Sequence, residues 1–247
     1  MSMKDILQDV IKHTHGLGFL PLLKINGTDT ETKIDSMAED RSVILQAQTK
    51  TPYKEMVGTY GLPQLNKLDL HLKCPEYQKD AKITIDKQNR NGEDVPVGIS
   101  FSNAKGDFVN SYRFMNAQII NEKLKTIKFK GANWDVELKP SVAGRQRLAY
   151  QAMANSEETT FVARTEGGNL IFQFGDTASH SGEFVFAEGV QGTLDKNWAW
   201  PLAQITQILK LADSGDCTMS FSNQGAMQIS IDSGLGVYNY IIPAQAQ

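Results

Sequence analysis

The chain has 247 residues, 40% hydrophobic and 21% charged, with a formal net charge of −3. That is ordinary globular composition, long enough for one large domain or two of common size, and no apolar run approaches the length that spans a membrane. The start, MSMKDILQDVIK, places Asp5 and Asp9 where a secretory signal needs an apolar core, and the isolated Cys74 and Cys217 fit no metal spacing, so buried thiols in a reducing, cytoplasmic setting are expected.

The first predicted element is a helix over 3–15, with Ser2 as N-cap, Asp5 at the capping-box position, and Met3, Ile6, Leu7, Val10 and Ile11 as its core stripe. Gly16 and Gly18 stop it. FLPLLKING, TKIDSMA and SVILQAQT read as strands, with Asn26-Gly27 as a turn. A second helix is predicted over 62–73, with Pro63 in its first turn. AKITIDK and VPVGISFSN flank a turn at Asn91-Gly92, and FVNSYRF is the next strand. The stretch 115–131 reads as a connector.

WDVELK then begins a second series. A helix is predicted over 141–155 with Ser141 as N-cap, and TTFVART and NLIFQF form a hairpin through Gly167-Gly168. EFVFAE is another strand, and a helix over 201–212 starts at Pro201. CTMSFSN, AMQISID and GVYNYIIP complete the chain.

The two series repeat each other. Leu62-Pro63-Gln64-Leu65-Asn66-Lys67-Leu68 is matched 140 positions later by Leu202-Ala203-Gln204-Ile205-Thr206-Gln207-Ile208, with the same apolar spacing. A period this long is a whole domain, so the chain reads as two copies of one α+β fold. The expected boundaries are 1–114 and 132–247, joined by 115–131.

Charge separates along the same lines. The four predicted helices carry seven basic residues and three acidic ones, a net +4, which leaves −7 elsewhere. Periodicity sets Lys4, Gln8, Lys12 and His15 away from the first helix's apolar stripe, and Lys67, with Gln64 and His71 beside it, away from that of the second. Arg147 and Gln151 are exposed on the third helix, where Arg145 falls nearer the apolar side; Gln207 and Lys210 are exposed on the fourth. Solvated faces are the alternative reading of each helix taken singly.

Catalytic constellations are missing. His13 and His15 stand two apart on a helix and diverge, His180 lies in a loop, the carboxylates are scattered, and Gly234-Leu235-Gly236 precedes a strand rather than a helix. The reading is a non-enzyme without metal or cofactor.

Three stretches carry a resemblance to the DNA sliding clamps, closest to those of tailed bacteriophages. GTYGLPQLNKLDL resembles a clamp domain's strand-into-second-helix junction. WPLAQITQILKLADSGDCTMSFSNQGAMQISID resembles the same helix and following hairpin of the last domain, and GLGVYNYIIPAQAQ resembles a clamp's closing strand and tail. The duplicated element order extends the resemblance over essentially the whole chain. The chain departs from the pattern in a long hairpin around 87–97 and in Gly144, where a stronger helix former is common.

The resemblance implies a DNA-clamp fold with two helices per domain packed on antiparallel sheets. It implies a ring of three subunits that threads duplex DNA without base-specific contact and acts as a DNA polymerase accessory protein in replication, with a clamp loader as a further partner. The DNA-facing residues would be Lys4, Lys12, Lys67, His71, Lys73, Arg145, Arg147 and Lys210. Strands 107–114 and 183–188 would pair between subunits, with Phe108, Tyr112, Phe114, Phe184 and Phe186 at the joint. A partner peptide would lie on Ile119, Ile120, Leu124, Ile241, Ile242 and Pro243. The competing reading, from another class, is a β-rich virion structural or assembly protein with a duplicated domain.

Overall fold

The structure is a computed structural model that describes residues 2–90, 92–125, 129, 131–176, 180–213 and 215–245. Asn91 of the expected turn, and 126–128 and 130 of the expected connector, lie outside the described residues. The chain separates into two compact units, residues 1–39 with 45–128, and residues 40–44 with 129–247.

The first unit opens with α1 (Met3–Lys12), followed by β1 (Leu23–Gly27), β2 (Thr32–Met37), β3 (Ile44–Thr49) and β4 (Gly58–Leu62). Next come α2 (Leu65–Lys73), β5 (Lys82–Arg90), β6 (Glu93–Ser102), β7 (Val109–Arg113) and α3 (Ala117–Lys123). Its strands lie in the orders β4-β1-β2-β3 and β5-β6-β7. The second unit contains β8 (Val136–Leu138), α4 (Val142–Ala154), β9 (Thr160–Glu166), β10 (Asn169–Phe174), β11 (Gly182–Ala187) and β12 (Ala199–Pro201). It ends with α5 (Leu202–Lys210), β13 (Asp216–Ser222), β14 (Ala226–Asp232) and β15 (Gly236–Pro243), in the orders β11-β10-β9-β12 and β15-β14-β13-β8. Apart from α3 at the end of the first unit and β8 at the start of the second, each unit runs helix, four strands, helix, three strands. Replacing β1–β4 by β9–β12 reproduces the same strand order, so the duplication read from the helix sequences is also a duplication of topology.

Local chemistry explains most of these elements. Ser2 Oγ accepts from the Asp5 amide at 3.2 Å while Asp5 Oδ2 accepts from the Ser2 amide at 2.8 Å, so a capping box fixes the start of α1. Met3, Ile6, Leu7, Val10 and Ile11 are buried, each contributing about 1.5–3 kcal/mol of apolar burial. The strands alternate as a half-buried sheet requires: β1 buries Leu23 and Ile25, and β10 buries Leu170, Phe172 and Phe174. The second unit's core is aromatic, with Phe172 4.3 Å from Phe186 and 4.4 Å from Phe161 between ring centroids. Cys74 and Cys217 are free thiols; burial, the larger effect, pushes the Cys217 thiol up to about 12, so it is inert at neutral pH.

Several boundaries differ from the sequence reading: the first helix ends at Lys12 rather than 15, and Asn26-Gly27, expected as a turn, closes β1. The second helix begins at Leu65, not 62: Leu62 closes β4, and Gln64 sits at φ 51, a left-handed backbone that no helix passes through. Pro201 is the N-cap of α5 rather than its first residue, and pairs with Thr160 as the end of β12. The connector holds a short helix, α3, capped by Asn116, whose side chain accepts from the Gln118 amide at 2.8 Å.

Candidate nucleic-acid interface

In the first unit α1 and α2 pack against each other and leave a groove of about 350 Å³ between them. Ile11 and Leu72 line it among Gln8, Lys12, His15, Asp69 and Lys73. Lys73 is exposed and holds Asp69 at 2.7 Å, an i,i+4 pair worth a few tenths of a kcal/mol at an exposed site. Lys67 is exposed one turn earlier. Such a face attracts phosphate without reading sequence.

Two residues expected there have other work. Lys4 Nζ donates to the Tyr77 carbonyl at 2.8 Å and to Gln78 Oε1 at 2.9 Å, tying α1 to the turn that follows α2. His71 lies half-buried with its ring 5.1 Å from Phe101; burial holds its pKa below the usual histidine range, so it is neutral at pH 7.

In the second unit α4 and α5 enclose a smaller groove of about 230 Å³. Arg145 spans it: Nη1 pairs with Asp213 and donates to the Leu209 carbonyl at 3.4 Å, and its side chain is only 15% exposed. Its Nε is buried and has no hydrogen-bond acceptor among the described residues. Arg145 therefore fastens α4 to the C-terminal end of α5, where a cation also complements the helix dipole. Arg147 and Lys210 are exposed; Arg147 Nη1 donates to the Val185 carbonyl at 3.3 Å and Lys210 Nζ to Gln207 at 3.2 Å. Both helix pairs thus offer cations, with Lys12, Lys67, Lys73, Arg147 and Lys210 exposed and Lys4 and Arg145 half-buried.

Sequence reasoning missed the apolar residues on these faces. Leu70 on α2 and Val142, Tyr150 and Met153 on α4 are all at least 60% exposed. The signal was available in the weak amphipathicity of α4, which buries only Gly144 and Leu148.

The strands expected at a subunit joint are sheet edges. β7 ends the order β5-β6-β7 and β11 ends β11-β10-β9-β12, so each presents an open ladder among the described residues. Their aromatic residues are divided. Tyr112 and Phe186 are buried within their own units, the Tyr112 hydroxyl donating to the Pro63 carbonyl. Phe114 and Phe184 are half-buried and Phe108 is exposed.

Of the residues expected to receive a peptide, Ile120 and Leu124 in the first unit and Ile241 and Ile242 in the second are buried. Ile120 packs directly over Gly61 of β4, where a Cβ would stand 2.8 Å from its own. Ile119 and Pro243 are exposed. No group of three or more His, Cys, Asp or Glu side chains is placed to hold a metal among the described residues, and no helix there is long and apolar enough to cross a membrane.

This paired-helix, doubled-sheet arrangement is found in solved structures. Over 99% of its length the chain superposes on 98% of PCNA from Thermococcus kodakaraensis, with a TM-score of 0.67 at 13% identity. The fold is that of the PCNA sliding clamps. A. fulgidus PCNA bound to the C-terminal region of FEN-1 gives a TM-score of 0.71 at 10% identity, covering 99% of this chain and 96% of that one. PCNA from Entamoeba histolytica gives 0.66 at 11%, covering 98% and 94%. By sequence the chain matches no family model and no curated protein. The α+β clamp fold expected from the element order is therefore present over the whole chain, carried by a sequence far diverged from these PCNA structures.

Proposed function

We propose that this chain is a DNA sliding clamp: a non-enzymatic scaffold that closes as a homotrimeric ring around duplex DNA and tethers a replicative polymerase. The observation that carries the reading is the twice-repeated unit in which a helix pair presents lysine and arginine on its outer face while the sheets carry open edges. Exposed cations on flexible side chains attract the phosphate backbone without a register, which is what sliding requires. A clamp loader is the further partner that would open the ring on DNA without free ends; over a free end the ring threads unaided. Kinship with the clamps of tailed phages, acting in the host cytoplasm, rests on the helix and tail residues quoted above.

The test is topological. The protein is incubated with linear duplex DNA, both ends are blocked with streptavidin, and the DNA is washed at high salt. A clamp stays on the blocked DNA and is released when a restriction enzyme cuts it. Retention that ignores end-blocking and cutting, or no retention at all, overturns the reading; large open assemblies on a sizing column would favour the virion alternative.

A further inference from the structure

The four helices of the two pairs differ in where their cations stand. The exposed residues of α1 and α2 include Lys12, Lys67 and Lys73 against one acid, Asp5. α2 also exposes the apolar Leu70, but between Lys67 and Lys73, three positions from each. α5 exposes Lys210 at its last position.

α4 has two arginines and no acid, yet neither arginine stands on its outermost face. The two lie about 200° apart around the helix, at 3.6 residues per turn, and so point to opposite flanks. Arg145 turns to one flank, where it pairs with Asp213. Arg147 turns to the other, where Nη1 donates to the Val185 carbonyl of β11 at 3.3 Å. Between them run Val142, Gln146, Ala149 and Met153, which follow each other at helical spacing and form one line along the surface. All four are exposed, Val142 by 60% and Met153 by 72%. The line carries no charge, and Gln146 is its one hydrogen-bonding side chain.

An exposed apolar line of this length marks a contact surface. Its neighbours show which surface it belongs to. Val142, Gln146 and Ala149 line the groove between α4 and α5 together with Lys210, so the line continues directly into the cationic edge of α5. The face that offers Lys210 to phosphate therefore offers the uncharged line as well.

We propose that the helices divide the work on DNA. Lys12, Lys67, Lys73 and Lys210 hold the phosphate backbone from α1, α2 and α5, while the line from Val142 to Met153 on α4 is a neutral bearing over which the duplex passes. The proposal rests on the ring reading and assigns grip and slip within it. Each cation on a phosphate adds about 0.9 to the salt slope, and each must be released and remade as the duplex moves. Methyl and thioether groups offer phosphate oxygens no hydrogen bond, so they neither hold the backbone nor set a register. One uncharged helix among four thus keeps the hold while lowering the friction of sliding.

Adding charge to the line tests the division, because a gain of binding cannot come from loss of structure. Gln146→Lys with Met153→Lys should steepen the salt slope of equilibrium binding to open-ended linear duplex by about 1.8, or about twelvefold in affinity across a fourfold rise in salt. On end-blocked duplex, single-molecule fluorescence should show the same variant diffusing more slowly. When Lys12, Lys67 and Lys73 are all replaced by Ala, the two added lysines should restore roughly two-thirds of the slope that is lost. Unchanged slope and diffusion in the lysine variant overturn the bearing, because the line then does not face DNA. If polymerase stimulation is lost at the same time, the line receives a protein instead, and the bearing is overturned equally. The ring reading survives both results provided that the native chain stays on end-blocked duplex. A native chain that end-blocking does not retain overturns the bearing and the ring together.

Discussion

A side chain at Gly144 would meet the Phe186 backbone: a Cβ there would lie 2.6 Å from the Phe186 carbonyl oxygen. Glycine costs a helix about 1 kcal/mol relative to alanine, yet here it lets α4 settle onto β11. Gly144→Ala should therefore destabilise the protein by about 1–3 kcal/mol despite its better helix propensity, because neither backbone has a flexible end to move. Denaturant unfolding of the variant decides it; equal or greater stability would mean that α4 relaxes freely.

His13 gives stability a pH dependence of known sign. It is 1% exposed, and burial first, with the nearby Lys12 charge second, lowers its pKa from 6.5 to about 4. Between those values the unfolded chain binds the proton and the folded chain does not, so stability is complete above pH 6.5 and falls as the pH drops towards 4. The loss should approach about 3 kcal/mol at 1.36 kcal/mol per unit. Asp5 and Asp40, both held below the usual carboxylate range, act in a lower window: their contributions are present above pH 3.8 and are lost as the pH falls through their folded values. Chemical denaturation at pH 7 and pH 4.5 should show the step in the native sequence and a flatter profile in His13→Leu.

Engaged and surface cations should separate in DNA assays. Replacing Lys12, Lys67, Lys73, Arg147 and Lys210 by Ala should weaken DNA retention and reduce the salt slope by about 0.9 for each phosphate left without its cation. Lys4→Ala and Arg145→Ala should leave that slope unchanged while lowering stability, because their bonds run to Tyr77, Gln78 and Asp213. A salt titration of retention beside thermal unfolding checks both halves. Slopes that drop equally for the two groups would show that Lys4 and Arg145 also reach the phosphates.

The proposed partner site is best probed at its exposed members. Ile119→Asp should abolish polymerase stimulation in a primer-extension assay while leaving folding and association intact. Its neighbour Ile120 is 0% exposed, so Ile120→Asp buries a carboxyl group and should cost several kcal/mol of stability, making its loss of function uninformative. Full stimulation by a folded Ile119→Asp variant would place the partner elsewhere.

What the sequence determined by itself was local. The Ser2–Asp5 capping box, the apolar period of α5, the alternation of NLIFQF and the turn at Gly167-Gly168 each depend on residues a few positions apart, so their physics is written in consecutive letters. Tertiary structure decided what those letters could not. Lys4 finds Tyr77 and Arg145 finds Asp213, partners 73 and 68 residues away, and Lys4 thereby leaves the solvent face that periodicity assigns it. Ile119 and Ile120 are indistinguishable in sequence, but only Ile120 meets Gly61. The edges of β7 and β11 are likewise a property of the whole sheet. Helical period, alternation and capping are nearest-neighbour effects, whereas burial, ion pairing and open edges depend on which distant segment the fold brings alongside.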